Sequence, residues 1–123
     1  MSQTVLLWFK RDLRLTDHAA LARAQALGRV VPVYVLEPAY WQLPDTSGRQ
    51  YGFLVETLLS LRAHLRELGS DLVIRVGEAV PVLQALQTET GAQVMVSHEE
   101  TGNGWSFARD IAVGRWARTN GLR

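Results

Sequence analysis

Four short apolar runs, each followed by polar, Gly or Pro residues, alternate with helical stretches along this 123-residue chain. The runs lie at residues 5–9, 30–36, 72–76 and 94–98. A continuous apolar run of this length is typical of a strand that is covered on both faces. Strands that alternate with helices indicate a parallel sheet, and the chain length suits one domain. The sequence therefore predicts a single α/β domain.

The second helical stretch carries the clearest pattern in the chain. Its leucines recur at spacings of 4, 3, 4 and 3 residues, which places them on one apolar stripe of a helix. They are Leu54, Leu58, Leu61, Leu65 and Leu68. Gly69 follows the stripe and is expected to end the helix in the left-handed conformation.

Before that stripe lie one helix and one long connection. The first helix is predicted to begin at Thr16 or Asp17, either of which provides a capping oxygen. It should end at Leu27, with Gly28 as a left-handed stop. Residues 37–50 are expected to form a long irregular segment, a kind of loop that is often functional.

The last two helical stretches are also bounded by characteristic residues. The third has Pro81 in its first turn, where a missing N–H costs little, and ends by Gly91. The fourth spans residues 105–120, and Gly121 is expected to terminate it. Its predicted apolar side carries Phe107, Ile111 and Trp116.

Right-handed crossovers between successive strands predict the topology. If the crossovers divide between the two faces, the result is a Rossmann-like, doubly wound parallel sheet of order 3-2-1-4 with helices on both faces. A fifth strand is expected after Gly121, so we interpret residues 1–123 as a fragment of a longer chain. The edge left without that strand predicts pairing between chains.

Composition excludes several classes of protein. Thirteen basic and twelve acidic residues give a net charge of +1, so no overall field attracts nucleic acid or an anionic membrane. The chain has no cysteine, which excludes disulfides and thiolate metal sites. Neither a signal peptide nor a membrane span is visible, and we expect a cytoplasmic location.

A binding cleft is expected where the strands end, because ligands of open parallel sheets bind outside the carboxyl ends of the strands. With the order 3-2-1-4, the exits of the first and fourth strands flank this cleft, and the exit of the second strand borders that of the first. The polar residues at these exits are Lys10, Arg11, Asp12, Glu37, Glu99, Glu100 and Asn103. Trp41 and Trp105 are the aromatic candidates for the wall of the cleft, whereas Trp8 and Trp116 are expected in the core.

Most signatures of catalysis are missing. The first strand is not followed by Gly-x-Gly-x-x-Gly, and the chain has no Walker loop. The three histidines lack metal-ligand spacing, so no metal site is predicted. Glu99 and Glu100 are adjacent at a strand exit and should point in opposite directions, which favours hydrogen-bond acceptors over a shared-proton pair.

One run carries a family resemblance. Residues 7–18 read Leu-Trp-Phe-Lys-Arg-Asp-Leu-Arg-Leu-Thr-Asp-His. This run resembles the opening of the photolyase/cryptochrome flavoproteins, which reads W-F-(R/K)-x-D-L-R-(L/I)-x-D-(N/H). The resemblance continues in register through Glu37-Pro38, Ser47, Arg49, the leucine helix and Glu99-Glu100, and so covers essentially the whole chain.

The resemblance implies the N-terminal α/β domain of such a protein. In this family a helical domain, absent from this chain, binds FAD and the damaged DNA. The α/β domain helps to hold a light-harvesting antenna that passes excitation energy to the FAD, for pyrimidine-dimer repair or for blue-light signalling. Transferred to this chain, the antenna contacts would be the seven polar residues at the strand exits. The fragment alone would have no catalytic residue.

One departure bears on the antenna. Similar members that bind folate carry a His in the loop after the conserved Trp, whereas Trp41 is followed here by Gln-Leu-Pro-Asp. This difference favours a deazaflavin or a flavin, or no antenna, over a folate. The Gly-Asn-Gly-Trp insertion after Glu100 also differs from the shorter loop of many members, which bears on the assignment of Asn103.

Two other interpretations stay open on the residues alone. A response-regulator receiver has this size and alternation, but it needs acidic residues after the first strand and an Asp after the third. Lys10, Arg11 and Val76-Gly77 stand at those places. A Rossmann-like nucleotide-binding domain of the universal-stress type would have a longer Gly-rich signature than this chain shows.

Overall fold

The structure, a computed structural model, describes residues 3–10, 19–41, 48–67, 69–97, 104–119 and 121. Four strands and five helices follow one another within these ranges. In chain order they are β1 (Gln3–Phe9), α1 (Ala19–Leu27), β2 (Gly28–Leu36), α2 (Pro38–Trp41), α3 (Gly48–Glu67), β3 (Val73–Val76), α4 (Ala79–Thr90), β4 (Val94–Val96) and α5 (Gly104–Thr119).

The described strands form one parallel sheet of order β3-β2-β1-β4. β1 lies between β2 and β4, so the first and fourth strands are neighbours. This order is the predicted one, and the Rossmann-like α/β class is confirmed. All four strands end at the same edge of the sheet, which we call the carboxyl edge.

Alternate side chains of β1 enter two separate cores. Val5, Leu7 and Phe9 are buried against α1 and α3 on one face. Leu6 and Trp8 are buried on the opposite face, where α4 and α5 pack. The sheet is therefore covered on both sides, which explains why its strands are almost continuously apolar.

The leucine stripe packs α3 onto the first of these cores. Leu58, Leu61 and Leu65 are buried, and Leu54 packs against the same cluster. Leu68, the fifth member of the predicted stripe, lies outside the described residues. Gly69 has φ +83°, as expected for the residue that ends a helix.

Gly28 has a different role from the predicted one. β2 begins at Gly28, directly after α1, and Gly28 pairs with Gln3 in the sheet. A Cβ at this position would overlap the backbone carbonyl oxygen of Gln3. Gly28 is thus needed for a close approach of two backbones, and the left-handed stop expected here was wrong. The predicted helix start at Thr16 or Asp17 lies outside the described residues.

Two of the three residues predicted for the apolar side of the last helix were wrong, and Trp116 was right. Phe107 is 65% exposed and Ile111 is exposed as well, whereas Ser106 and Val113 are buried and Trp116 packs on the second core. Residues 106 and 113 are seven positions apart, about two helical turns, so both face the sheet. The apolar identity of Phe107 and Ile111 misled the prediction, because neither lies on that face.

Two predicted boundaries also change. Residues 37–50 contain α2 and the first turn of α3, where one irregular segment was expected. β4 is three residues long, and the predicted end of this strand, His98, lies outside the described residues. Within the described ranges, no helix has the length and apolar character needed to cross a membrane.

A charged cluster fixes the turn between α3 and β3. The Nε atoms of Arg62 and Arg66 each donate to Asp71 Oδ1 at 3.1 Å, and the Leu72 N–H donates to the same oxygen at 2.8 Å. The hydrogen bond from Arg66, followed by that from Leu72, lowers the pKa of Asp71 below its usual value of 3.8.

Leu61→Ala is expected to lower the free energy of unfolding by about 2–5 kcal/mol, because it leaves a cavity in the first core. Leu59→Ala is the matched control, since Leu59 belongs to the same helix and is exposed. Urea unfolding of both variants measures the difference. Equal losses in the two variants would contradict the packing of α3.

Asp71→Asn tests the turn by its dependence on pH. A carboxyl whose pKa falls on folding stabilises the chain above its unfolded pKa of 3.8, and this contribution disappears as the pH drops through the lower folded pKa. We expect the variant to unfold at lower urea than the wild type at pH 7, with the gap closing below about pH 3.8.

The control for this experiment is the same substitution in an Arg66→Met background. In that background Asp71→Asn should lower the stability against urea by less, since Arg66, the main partner of Asp71, is already gone. An effect of equal size in both backgrounds would show that Arg66 is not the cause.

Candidate functional site

Three elements bring charged side chains together at the carboxyl edge. Lys10 directly follows β1, and Glu37 directly follows β2. Arg109 and Asp110 lie in the second turn of α5, the helix that covers this end of the sheet. We call these four residues the charge network.

The charge network is connected by short hydrogen bonds. Arg109 Nη1 donates to Glu37 Oε1 at 2.6 Å, and Arg109 Nε donates to Asp110 Oδ1 at 3.0 Å. The second oxygen of Asp110 accepts a bond from Lys10 Nζ at 3.1 Å. The network therefore ties the ends of β1 and β2 to α5.

Burial makes these bonds important for stability. The side chains of Lys10, Glu37 and Arg109 are 6%, 9% and 11% exposed, and that of Asp110 is 25% exposed. Two positive and two negative charges balance within the network. Removing one partner would leave a buried charge without its counter-charge, which typically costs about 3–5 kcal/mol.

Two indole rings flank Arg109. Its Cζ lies 5.1 Å from the ring centroid of Trp8 and 5.6 Å from that of Trp105. Lys10 Nζ also lies 4.8 Å from the Trp8 ring. Cation–π contacts of this kind contribute from about 0.5–1 kcal/mol when exposed to about 2 kcal/mol when desolvated. Arg109 thus connects a tryptophan of the core with one near the surface.

Aromatic rings continue from Trp105 towards the surface. The centroids of Trp105 and Tyr40 are 5.4 Å apart, and Tyr40 meets Trp41 edge-on at 5.2 Å. Trp41 in turn meets the exposed Tyr51 of α3 at 5.3 Å. These spacings are in the favourable range for aromatic pairs. Tyr40 thus connects Trp105 with the rest of this aromatic row.

A cleft of about 350 Å³ opens beside Trp105, between the exits of β2 and β3 and the first turns of α4 and α5. We call it the Trp105 cleft. The lining includes charged and aromatic side chains, and a Pro and a Gly at the strand exits. These residues are Glu37, Glu78, Arg109, Trp105, Pro38 and Gly77. The N-terminus of α4, the positive end of its helix dipole, lies at one side.

The Trp105 cleft has the composition of a site for a small organic ligand. Such sites are mostly apolar and contain a few polar groups that orient the ligand. The indole of Trp105 contributes an aromatic surface, and Glu37, held by Arg109, contributes a polar group. Among the described residues, no group of three or more His, Asp or Glu is placed to hold a metal ion.

The structure describes two of the seven predicted site residues. Glu37 lines the Trp105 cleft, whereas Lys10 binds Asp110 and Trp8. Arg11, Asp12, Glu99, Glu100 and Asn103 lie outside the described residues. Trp105 lines the Trp105 cleft, but this cleft opens between the exits of β2 and β3, whereas the predicted cleft lay between the exits of the first and fourth strands. Trp41 belongs to the aromatic row and is not among the residues that line the cleft, and Trp8 is buried as expected.

Sequence reasoning missed Arg109 and Asp110. Both were assigned only to a helix, although the N-terminal turns of the helix after β4 must lie beside the neighbouring strand exits. An adjacent Arg and Asp in the second turn of that helix were the available signal. This signal is weak, because charged residues of a helix usually face the solvent.

Comparisons with known proteins agree with one another. The family model described as DNA photolyase matches residues 5–123. The chain is 36% identical over 103 residues to cryptochrome DASH of Arabidopsis thaliana, covering 78% of this chain and 18% of that protein. It is 36% identical over 122 residues to the deoxyribodipyrimidine photo-lyase of Agrobacterium fabrum, covering 96% and 24%.

Solved structures are similar over nearly the whole chain. A class III photolyase from Agrobacterium tumefaciens superposes with a TM-score of 0.87 at 32% identity, covering 100% of this chain and 25% of that one. A photolyase from Sulfolobus tokodaii, solved with two FAD molecules, gives 0.85 at 29%, covering 98% and 28%. The chain thus spans about a fifth to a quarter of the length of these relatives.

Glu37→Ala is expected to destabilise the chain by about 3–5 kcal/mol, because it removes one of the two carboxylates that pair with the buried guanidinium of Arg109. Glu78→Ala is the matched control: Glu78 lines the same cleft but is exposed and makes no capping hydrogen bond to α4 among the described residues. Its effect should stay within about 0.5 kcal/mol. Thermal or urea unfolding of both variants measures the contrast, and similar small losses would contradict the role of the network.

Proposed function

The chain belongs to the DNA photolyase family, as its N-terminal α/β domain, and on that premise we propose that it holds a light-harvesting chromophore for a separate FAD-binding domain. The whole protein would be a deoxyribodipyrimidine photolyase or a cryptochrome, acting in light-driven repair of pyrimidine dimers or in blue-light signalling. The chain itself would contribute binding and orientation, and no catalytic residue. Family membership removes the receiver and universal-stress alternatives.

The observation that carries the proposal is the Trp105 cleft at the carboxyl edge. A planar chromophore needs an aromatic surface and a few fixed polar groups, and Trp105 together with Glu37, which is held by Arg109, meets both needs. The volume of about 350 Å³ lies at the lower end of the range for ligand pockets. It suits a tricyclic ring system better than an entire dinucleotide.

We propose a flavin or a deazaflavin as the chromophore, in preference to a folate. The Sulfolobus tokodaii photolyase contains two FAD molecules, and its structure is described as implying a novel light-harvesting cofactor. When bound, such a ring would absorb light and transfer the excitation energy. The residues of this chain would hold the ring and exclude water from one face.

The predicted contact residues keep separate roles in this proposal. Glu37 and Trp105 would line the chromophore, and Lys10 would act indirectly by holding Asp110 in the charge network. The contacts proposed from the family resemblance at the other strand exits are Arg11, Asp12, Glu99, Glu100 and Asn103.

We propose the carboxyl edge as the docking surface for the FAD-binding domain, through which damaged DNA would also be reached. Most of the large exposed apolar residues among the described ones lie at this end, in the N-terminal halves of α3 and α5 and at the end of β3. They are Tyr51, Phe53, Val55, Val76, Phe107 and Ile111. Large apolar side chains that stay exposed at one end of a domain favour an interface at that end.

Titration with flavin mononucleotide (FMN) tests the chromophore site. We expect saturable quenching of flavin fluorescence by the wild-type chain. Trp105→Ala should weaken binding by roughly 5- to 150-fold, since one aromatic stacking partner contributes about 1–3 kcal/mol. Phe107→Ala is the matched control, because Phe107 is exposed on another face of the same helix.

Parallel titrations with a deazaflavin and with a reduced folate separate the proposed chromophores. Tighter binding of the folate than of either flavin would overturn the chemical class. Failure of all three ligands to bind would overturn the assignment of the cleft.

A further inference from the structure

We propose that Arg109 is a positioning residue, which sets the affinity of the Trp105 cleft for a flat ring by holding the Trp105 indole in place. The inference rests on the proposed function, because it takes this cleft as the chromophore site. It adds a residue that neither the family match nor the predicted contacts assign, and it states how that residue acts.

Two described hydrogen bonds join Arg109 to other members of the charge network. Nη1 binds Glu37 and Nε binds Asp110, so the guanidinium is held from two sides within its own plane. Asp110 is itself held by Lys10, which follows the central strand β1. The orientation of the guanidinium is therefore fixed by the sheet, although Arg109 belongs to a helix.

The fixed guanidinium lies within cation–π distance of the two indoles. Its Cζ lies 5.1 Å from Trp8, which is buried in the second core, and 5.6 Å from Trp105, which lines the cleft. Trp8 cannot shift without disturbing the core. Because Arg109 is held beside Trp8, it restricts the movement of Trp105. Tyr40 supports Trp105 from another side at 5.4 Å.

Geometry distinguishes this role from direct attraction of an anionic ligand. A lysine at position 109 would keep the positive charge, but it lacks the planar fork that binds two carboxylates and stacks on rings. If Arg109 acted by charge alone, lysine would substitute well and the phosphate of FMN would be required. If Arg109 acts through Trp105, lysine fails and the phosphate is irrelevant.

The test compares riboflavin, which has no phosphate, with FMN. We expect Arg109→Lys to weaken the binding of both ligands by a similar factor, roughly tenfold, as a share of what one stacking partner supplies. In a Trp105→Ala background the same substitution should have almost no further effect. The near-ultraviolet circular dichroism assigned to Trp105, by difference from Trp105→Ala, should also be lost in Arg109→Lys.

Two further variants keep the result interpretable. Glu37→Gln retains the shape of the side chain and removes its charge. We expect it to lower the affinity for both ligands less than Arg109→Lys does. Leu61→Ala destabilises the opposite face of the sheet and should leave affinity and the Trp105 signal unchanged in the folded chain. A change there equal to that of Arg109→Lys would attribute the effect to lost stability and overturn the proposal.

The remaining outcomes separate this inference from the proposed function. If Arg109→Lys leaves the affinity for both ligands unchanged, or lowers the affinity for FMN alone, the positioning role is overturned and the chromophore site stays intact. Additive losses in the double variant would also overturn it. Absence of binding of either ligand to the wild type would overturn the proposed function and, with it, this inference.

Discussion

The carboxyl edge of this domain depends on the balanced set of buried charges around Arg109. Four charged side chains, at the ends of β1 and β2 and in α5, pair with one another largely out of contact with water. Each is held in place because moving it would leave an unpaired charge in a region of low dielectric constant. Apolar packing joins the helices to the sheet, but it has little directional preference. The charge network supplies direction at the place where the domain has to present a defined surface.

This arrangement explains how a small α/β domain offers a shaped cleft without a Gly-rich loop. Trp105 stands against Arg109 on one side and against Tyr40 on another, and the start of α4 completes the opening. Most residues that line the cleft belong to helices, and Glu37, Gly77 and Glu78 lie in the short connections that follow β2 and β3. A rigid wall favours a rigid ligand, because little conformational entropy is lost when the two meet.

Sequence reasoning recovered the features that repeat along the chain. The leucine spacing of α3 and the four apolar runs carry periodic signals, and chain connectivity with right-handed crossovers then restricts the strand order. Features that depend on a single contact were lost. α5 faces the sheet with Ser106 and Val113, and these residue types do not identify that side in the sequence. The apolar side chain of Phe107 indicated a different side. Arg109 looked like any charged helical residue, because its partner Glu37 lies 72 positions away.

The direct passage of α1 into β2 at Gly28 has a consequence for how the gene can vary. With no spacer at this joint, adding or removing one residue would turn every side chain of β2 to the other side of the sheet. Val33 and Val35 would then exchange layers with Tyr34, and the phenol would enter the small space between the sheet and α4. Length changes in descendants of this domain should therefore accumulate in its other connections, while this joint stays constant in length.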